Sequence, residues 1–254
     1  ADVTEPRPSG AAGPGRPVGE RPAIHMRWAH LLFAHWRVPP EVMAPLLPRG
    51  LELETFDGAA WIGLVPFRME AVHVRGVPSV AERALRLDHF LECNVRTYAR
   101  CGDVSGVWFF SLDAERLLPV LGGRWMWGLN YVHSRMSMRV DGDRTTYTAR
   151  RRDGTSSRIV WRTGASLPPS RPGTLEDFLT NRLELFSVRG GRVYAGRVDH
   201  APWPLREASI EVIDDGLVAA AGVHASGAPH LLASDGVDTV GFPLRQVSPR
   251  HPAP

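Results

Sequence analysis

Lysine is missing from this chain: all 30 basic side chains among its 254 residues are arginine. Arginine stays protonated and cannot attack a carbonyl, so chemistry through a lysine Schiff base is excluded. The same absence removes the Walker-type phosphate loop and the amine that anchors pyridoxal phosphate. Alanine, glycine and proline are abundant, which fits drift in a GC-rich genome, but the chemical exclusion holds whatever its origin.

Cysteine is scarce too. Cys93 and Cys101 lack the second pair that a zinc ribbon needs and read as buried free thiols. No uninterrupted apolar run approaches the ~20 residues of a spanning helix, so no membrane is expected. Ala1 to Pro22 hold proline, glycine, alanine and charge with no apolar centre. They read as a disordered tail rather than an export signal, which places the protein in a reducing cytoplasm. Also lacking are H-E-x-x-H, G-x-S-x-G, an EF-hand loop and a G-x-G-x-x-G after a strand. The ten histidines show no zinc spacing, so neither metal nor cofactor is expected. Net charge is only +3, with acids interspersed among the arginines, which argues against nucleic acid. The densest basic run, Arg150 to Arg152, abuts Asp153-Gly154 and reads as the end of a hairpin.

What is present points to one β-rich domain over residues 23–247, with short tails at 1–22 and 248–254. A hydrophobic content of 43% suits a sizeable core. Strands are predicted at Leu51 to Phe56 and Ala60 to Phe67, around the turn Asp57-Gly58. Phe90 to Cys101 and Val107 to Asp113 make a hairpin, as do Tyr131 to Val140 and Thr145 to Arg152. Further strands are predicted near 157–161, 192–198, 208–214 and 217–225. Helices are few: Pro40 to Leu47, Ala114 to Leu121, and Thr174 to Phe186, the last with Thr174 as N-cap and Asp177 in its first turn. Ser166 to Gly173 is a loop. Short strands with glycine turns imply a closed or strongly curved antiparallel sheet with helices outside, an α+β architecture.

The segment from Glu92 to Cys101 is the most informative. Alternation places Cys93, Val95, Thr97, Ala99 and Cys101 on one face and Glu92, Asn94, Arg96, Tyr98 and Arg100 on the other. The next strand, Val107 to Asp113, is nearly apolar on both faces, so the hairpin is expected to be covered on both sides. Buried charges must then be paired or meet a ligand. Glu92 and Arg96 stand about 13 Å apart along a strand, too far to pair with each other. The fork of Arg96 suits a carboxylate. His200 lies in the stiff sequence Asp199-His200-Ala201-Pro202-Trp203-Pro204 and is a candidate imidazole for the same site.

Several segments, in order, resemble a known family: Trp28 to Trp36, Phe56 to Trp61 with Pro66-Phe67, Glu92 to Tyr98, Gly106 to Ala114, Leu175 to Leu179, and His200 to Leu205. Together they closely resemble the YqjF-like family of uncharacterised bacterial proteins, grouped with the acetoacetate-decarboxylase-like superfamily. The resemblance spans about residues 26–247 and departs from the family pattern at Asn130-Tyr131 and Arg182-Leu183. It implies a cone-shaped antiparallel β-barrel with flanking helices around a ligand cavity, and it implies no particular reaction.

Two functions are expected to compete. One is an enzyme on a small oxo-acid or related carboxylate, of the lyase, dehydratase, isomerase or cyclase type, with specialised metabolism as a setting. Arg96 would bind the carboxylate, Glu92 or His200 would move a proton, and Asn94, Tyr98, Asp113 and Tyr131 would orient the substrate. The other is a non-catalytic small-molecule binder on the same scaffold. The expected partner is the small carboxylate in either case, with self-association into a homo-oligomer allowed.

Overall fold

A computed structural model describes residues 20–84, 88–116 and 127–249. The expected tails fall mostly on residues 1–19 and 250–254, and most of the helix expected at Ala114 to Leu121 falls on 117–121, all outside the described residues. Among the described residues no helix is long and apolar enough to cross a membrane.

Among the described residues twelve strands form one sheet. They are β1 (Ile24–Val38), β2 (Glu52–Leu53), β3 (Ala60–Val74), β4 (Phe90–Cys101), β5 (Val104–Ala114), β6 (Tyr131–Asp141), β7 (Arg144–Arg151), β8 (Ser156–Ser166), β9 (Glu184–Arg189), β10 (Arg192–His200), β11 (Leu205–Asp215) and β12 (His230–Val247). The hydrogen-bonded order is β10-β9-β5-β6-β7-β8-β11-β12-β1-β3-β4-β2, and the additional pairings β5–β4 and β10–β12 close the sheet on itself. Closure removes the exposed edges that invite aggregation. Pairing is antiparallel except for two short parallel contacts of β5, with β6 and with β9.

Around this sheet lie α1 (Pro40–Met43), continued by a 3₁₀ turn at Ala44–Leu46, α2 (Ser79–Ala84), α3 (Leu175–Thr180) and α4 (Leu217–Ala220). The main core unites Leu32, Ala34, Ile62, Leu64, Cys93, Val95, Tyr147, Ile159 and Trp161, all essentially inaccessible to solvent. Each fully buried side chain of the Leu or Ile kind contributes about 1.5–3 kcal/mol of transfer free energy. A second cluster, with Phe33, Phe67, Phe90 and Trp203, lies against the opposite face of the same strands. The long strands β1, β3 and β4 are therefore covered on both faces.

Three expectations need correction. Leu51 to Phe56 is not a strand hairpinned onto β3; only Glu52–Leu53 is extended, and it pairs with β4. The predicted turn itself is present, with Asp57 and Gly58 both at positive φ between the bridged Phe56 and Ala59. The helix begun at Thr174 stops at Thr180 rather than Phe186. Its Thr174 cap does accept from the Asp177 amide at 3.3 Å, but residues 184–186 are drawn into β9 by pairing with β10 and β5. Residues 217–225 are not a strand: α4 opens there after Gly216, and the Asp215 carboxylate accepts from the Val218 amide at 2.9 Å.

Candidate functional site

β4 carries the site because its register lets both faces be lined. Cys93 and Val95 enter the main core, while Glu92, Asn94, Arg96 and Tyr98 project to the other side. That side is covered by α3, by the 201–204 loop and by the second aromatic cluster. Glu92, Asn94 and Tyr98 are buried and Arg96 is half-buried. Arg100 leaves the covered zone and pairs with Glu52 at the surface.

A bulge in β1 sets the aromatic cover. His30 sits at φ 53°, and the β1–β3 register shifts beside it. One extra residue reverses the alternation, so Phe33 and His35 join Trp28 on the site side. Across the sheet His35 pairs with Gly63, and Gly63 pairs with Arg96. A β-carbon at Gly63 would lie 2.6 Å from the His35 Nε2, so glycine there leaves room for the imidazole.

His35 in turn meets Tyr98. The Tyr98 hydroxyl lies 2.7 Å from His35 Nε2 and donates to the Leu179 carbonyl at 2.7 Å. Because the hydroxyl proton goes to the carbonyl, Nε2 of His35 must carry the proton that it donates to Tyr98. This leaves Nδ1 as a buried acceptor without a partner. Burial and the nearby Arg96 charge hold His35 neutral, well below the ordinary histidine pKa.

Arg96 is the electrostatic centre of the group. Its Nη2 donates to the same Leu179 carbonyl at 2.8 Å, and its guanidinium lies 5.6 Å from the Phe33 ring and 5.9 Å from the Tyr98 ring. Its Nε is buried without an acceptor. Among the described residues no carboxylate lies within ion-pair distance of it. A half-buried guanidinium without a counter-ion is unusual, since buried charges are ordinarily paired.

Glu92 is the complementary case. Burial raises its carboxyl pKa to about 8, against hydrogen bonding from Tyr131 and from the Asn94 amide. The Tyr131 hydroxyl donates to it at 3.1 Å. It is a carboxylic acid, not a carboxylate, at neutral pH. His200 completes the set. Its Nδ1 donates to the Ala201 carbonyl at 2.7 Å, which leaves Nε2 as the basic nitrogen. Its ring lies 4.9 Å from that of Trp203 and 5.8 Å from that of Trp28. Burial lowers its pKa, and the Arg96 charge adds to that effect.

Six of the seven residues expected from sequence therefore share one covered side of the sheet: Glu92, Asn94, Arg96, Tyr98, Tyr131 and His200. Asp113 is removed from that group. It pairs in register with Cys93, so it projects to the opposite face of the sheet. There Arg151 grips it through two bonds, Nε to Oδ1 at 2.8 Å and Nη2 to Oδ2 at 2.6 Å, while Ser134 and Ser111 donate to the same carboxylate. Sequence reasoning did not single out His35, Trp28, Phe33 or the Leu179 carbonyl. The signal for His35 was a lone polar residue in the otherwise apolar run Leu31 to Trp36. Among the described residues no group of three His, Cys, Asp or Glu is placed to hold a metal ion.

A closed, cone-like antiparallel sheet with short helices outside and a polar row under cover defines the acetoacetate-decarboxylase-like class of folds. Solved structures agree. MppR, an enduracididine biosynthesis enzyme solved in complex with pyruvate, superposes with a TM-score of 0.64 at 17% identity, over 96% of this chain and 99% of that one. Acetoacetate decarboxylase from Legionella pneumophila subsp. pneumophila str. Philadelphia 1 superposes with a TM-score of 0.61 at 14% identity, over 94% of this chain and 93% of that one. Likeness at such identities shows the fold alone. The family is shown by sequence: residues 25–238 match the DUF2071 model of uncharacterized conserved proteins, and the chain belongs to that family. It is 32% identical over 232 residues to the uncharacterized protein YqjF of Bacillus subtilis (strain 168), covering 89% of this chain and 93% of that protein.

Proposed function

We propose that the protein is an enzyme acting on a small carboxylate, an oxo-acid or a close relative of one, through acid–base chemistry without a Schiff base. The observation that carries this reading is Arg96, a half-buried guanidinium that meets no carboxylate among the described residues. A substrate carboxylate would supply the missing charge and accept from the unpartnered Nε. Glu92 would act as proton donor, since burial keeps it protonated up to about pH 8. The free Nε2 of the neutral His200 would accept a proton. A proton donor and a proton acceptor on the same covered side of the sheet as a bound carboxylate suit a lyase, dehydratase, isomerase or cyclase. The fold neighbour MppR, solved with pyruvate and with the condensation product of pyruvate and imidazole 4-carboxaldehyde, lends the carboxylate support by likeness of scaffold.

A non-catalytic binder is favoured by one observation: the hydroxyl protons of Tyr98 and Tyr131 go to the Leu179 carbonyl and to the protonated Glu92, so neither hydroxyl is activated by a base. Incubation of the protein with pyruvate and a panel of 2- and 3-oxo-acids, followed by proton NMR, separates the readings. Consumption of one acid by the wild type, with loss in Arg96→Met and in Glu92→Gln, supports the enzyme. Binding lost in Arg96→Met with no acid ever consumed supports the binder. Full turnover in both variants overturns the site.

A further inference from the structure

Asn94 stands between Glu92 and Arg96 on the same strand face, 93% buried at 7% exposure. Its amide nitrogen faces Glu92, whose carboxyl pKa it pulls down by hydrogen bonding. Its Oδ1 has no partner. The neighbours that register sets beside it are Val65 on β3 and Leu112 on β5, and neither side chain can donate. A buried amide oxygen left without a donor costs about 1–3 kcal/mol. An acceptor placed among apolar neighbours is therefore available to a guest's own N–H or O–H.

Arg96 lies two positions further along, about 7 Å of strand away. The two groups ask for opposite things. Arg96 Nε needs an acceptor, and Asn94 Oδ1 needs a donor.

We infer that Asn94 is a ligand-binding residue and that the guest is a hydroxylated or N–H-bearing carboxylate, its acid on Arg96 and its donor on Asn94 Oδ1. This rests on the reading of Arg96 as the carboxylate site. Within the proposed substrate class it selects hydroxy-acids over their oxo counterparts. A ketone oxygen at this point would face another acceptor and be repelled. The spacing calls for a donor about three carbons from the carboxyl carbon. Tyr131 and Tyr98 do not replace Asn94 in this role, because their hydroxyls donate to Glu92 and to Leu179.

The test is calorimetric titration of the wild type, Asn94→Ala and Arg96→Met with three matched probes: 4-hydroxypentanoate, 4-oxopentanoate and pentanoate. The wild type should bind the hydroxy-acid at least tenfold more tightly than either of the others. Asn94→Ala should level the three affinities, and Arg96→Met should lose all three. Equal binding of the three by the wild type, or preference for the oxo-acid, overturns the role of Asn94 while leaving the carboxylate site standing. Persistence of the hydroxy-acid preference in Asn94→Ala overturns it as well. Failure of the wild type to bind any of the three overturns the carboxylate site and this inference with it. The ranking on the wild type decides the matter even if Asn94→Ala folds poorly.

Discussion

Two buried acid–base sets lie on opposite faces of the same hairpin, and they are built on opposite plans. On the core side, Asp113 is wholly inaccessible and Arg151 is 11% exposed, and they meet at 2.6 Å with two serines filling the remaining sites. On the other side, Glu92 and Arg96 share a strand face but stand four residues apart, beyond each other's reach. The first pair satisfies itself. The second leaves an acid that keeps its proton and a cation without an anion, so a ligand can change the state of the second set and not of the first. Composition alone cannot separate the two, since each is one acid and one arginine. Spacing and partners do.

The sharpest way to break this contrast is Arg151→Met. It strands the Asp113 carboxylate on the core side, and removing one partner of a buried pair costs about 3–5 kcal/mol. Urea unfolding near pH 7 should show that loss. A loss below about 1 kcal/mol would mean that the pair is not the closed structural unit described.

The next effect depends on pH. The native Glu92 holds its proton up to about pH 8, whereas the unfolded value is near 4.5. Between those values the unfolded chain releases a proton that the native state keeps. Wild-type stability should therefore decline as pH rises from 4.5 to 8, then level off. Glu92→Gln removes this decline and should match the wild type near pH 4.5. It should exceed it at pH 8 by at most on the order of 4 kcal/mol. Denaturation curves of the two proteins across that interval check the sign. A variant less stable than wild type at pH 8 would show that Glu92 is ionised and paired.

Most of this fold was legible wherever one face of a strand differs from the other and a glycine turn punctuates it. The hairpins β4–β5 and β6–β7 follow from that pattern, with Asp57-Gly58 marking another turn. Three strands were not picked out, for identifiable reasons. β1 is covered on both faces over the run Leu31 to Ala34, which has no alternation to read, and β12 breaks its alternation with the consecutive buried residues Leu232 to Ser234. β9 was hidden in the helical spacing of Leu175 to Phe186, and pairing with two neighbours overrode local propensity. In the site, alternation was enough to gather Glu92, Asn94, Arg96 and Tyr98. Asp113 was misplaced because its face depends on the register against Cys93. His35 was passed over because its partner, Tyr98, lies 63 residues away.

The smallest expected effect is the most discriminating. Arg96→Met removes a half-buried guanidinium, yet it strands no carboxylate among the described residues. What it loses is one bond from Nη2 to the Leu179 carbonyl and the contacts with the Phe33 and Tyr98 rings. The carbonyl keeps the Tyr98 hydroxyl as a donor, at 2.7 Å. A net hydrogen bond of this kind is worth about 1 kcal/mol, and burying the methionine side chain returns part of that. Removing a positive charge beside two neutral imidazoles should also let the pKa of His35 and of His200 rise, since Arg96 holds both down in addition to burial. Stability near pH 7 should thus fall by about 1 kcal/mol or less, and the histidine resonances followed by NMR should titrate at higher pH. A loss of 3 kcal/mol or more would make Arg96 a structural strut for α3, like Arg151 for Asp113. The contrast between the two faces would then collapse, and the carboxylate site with it.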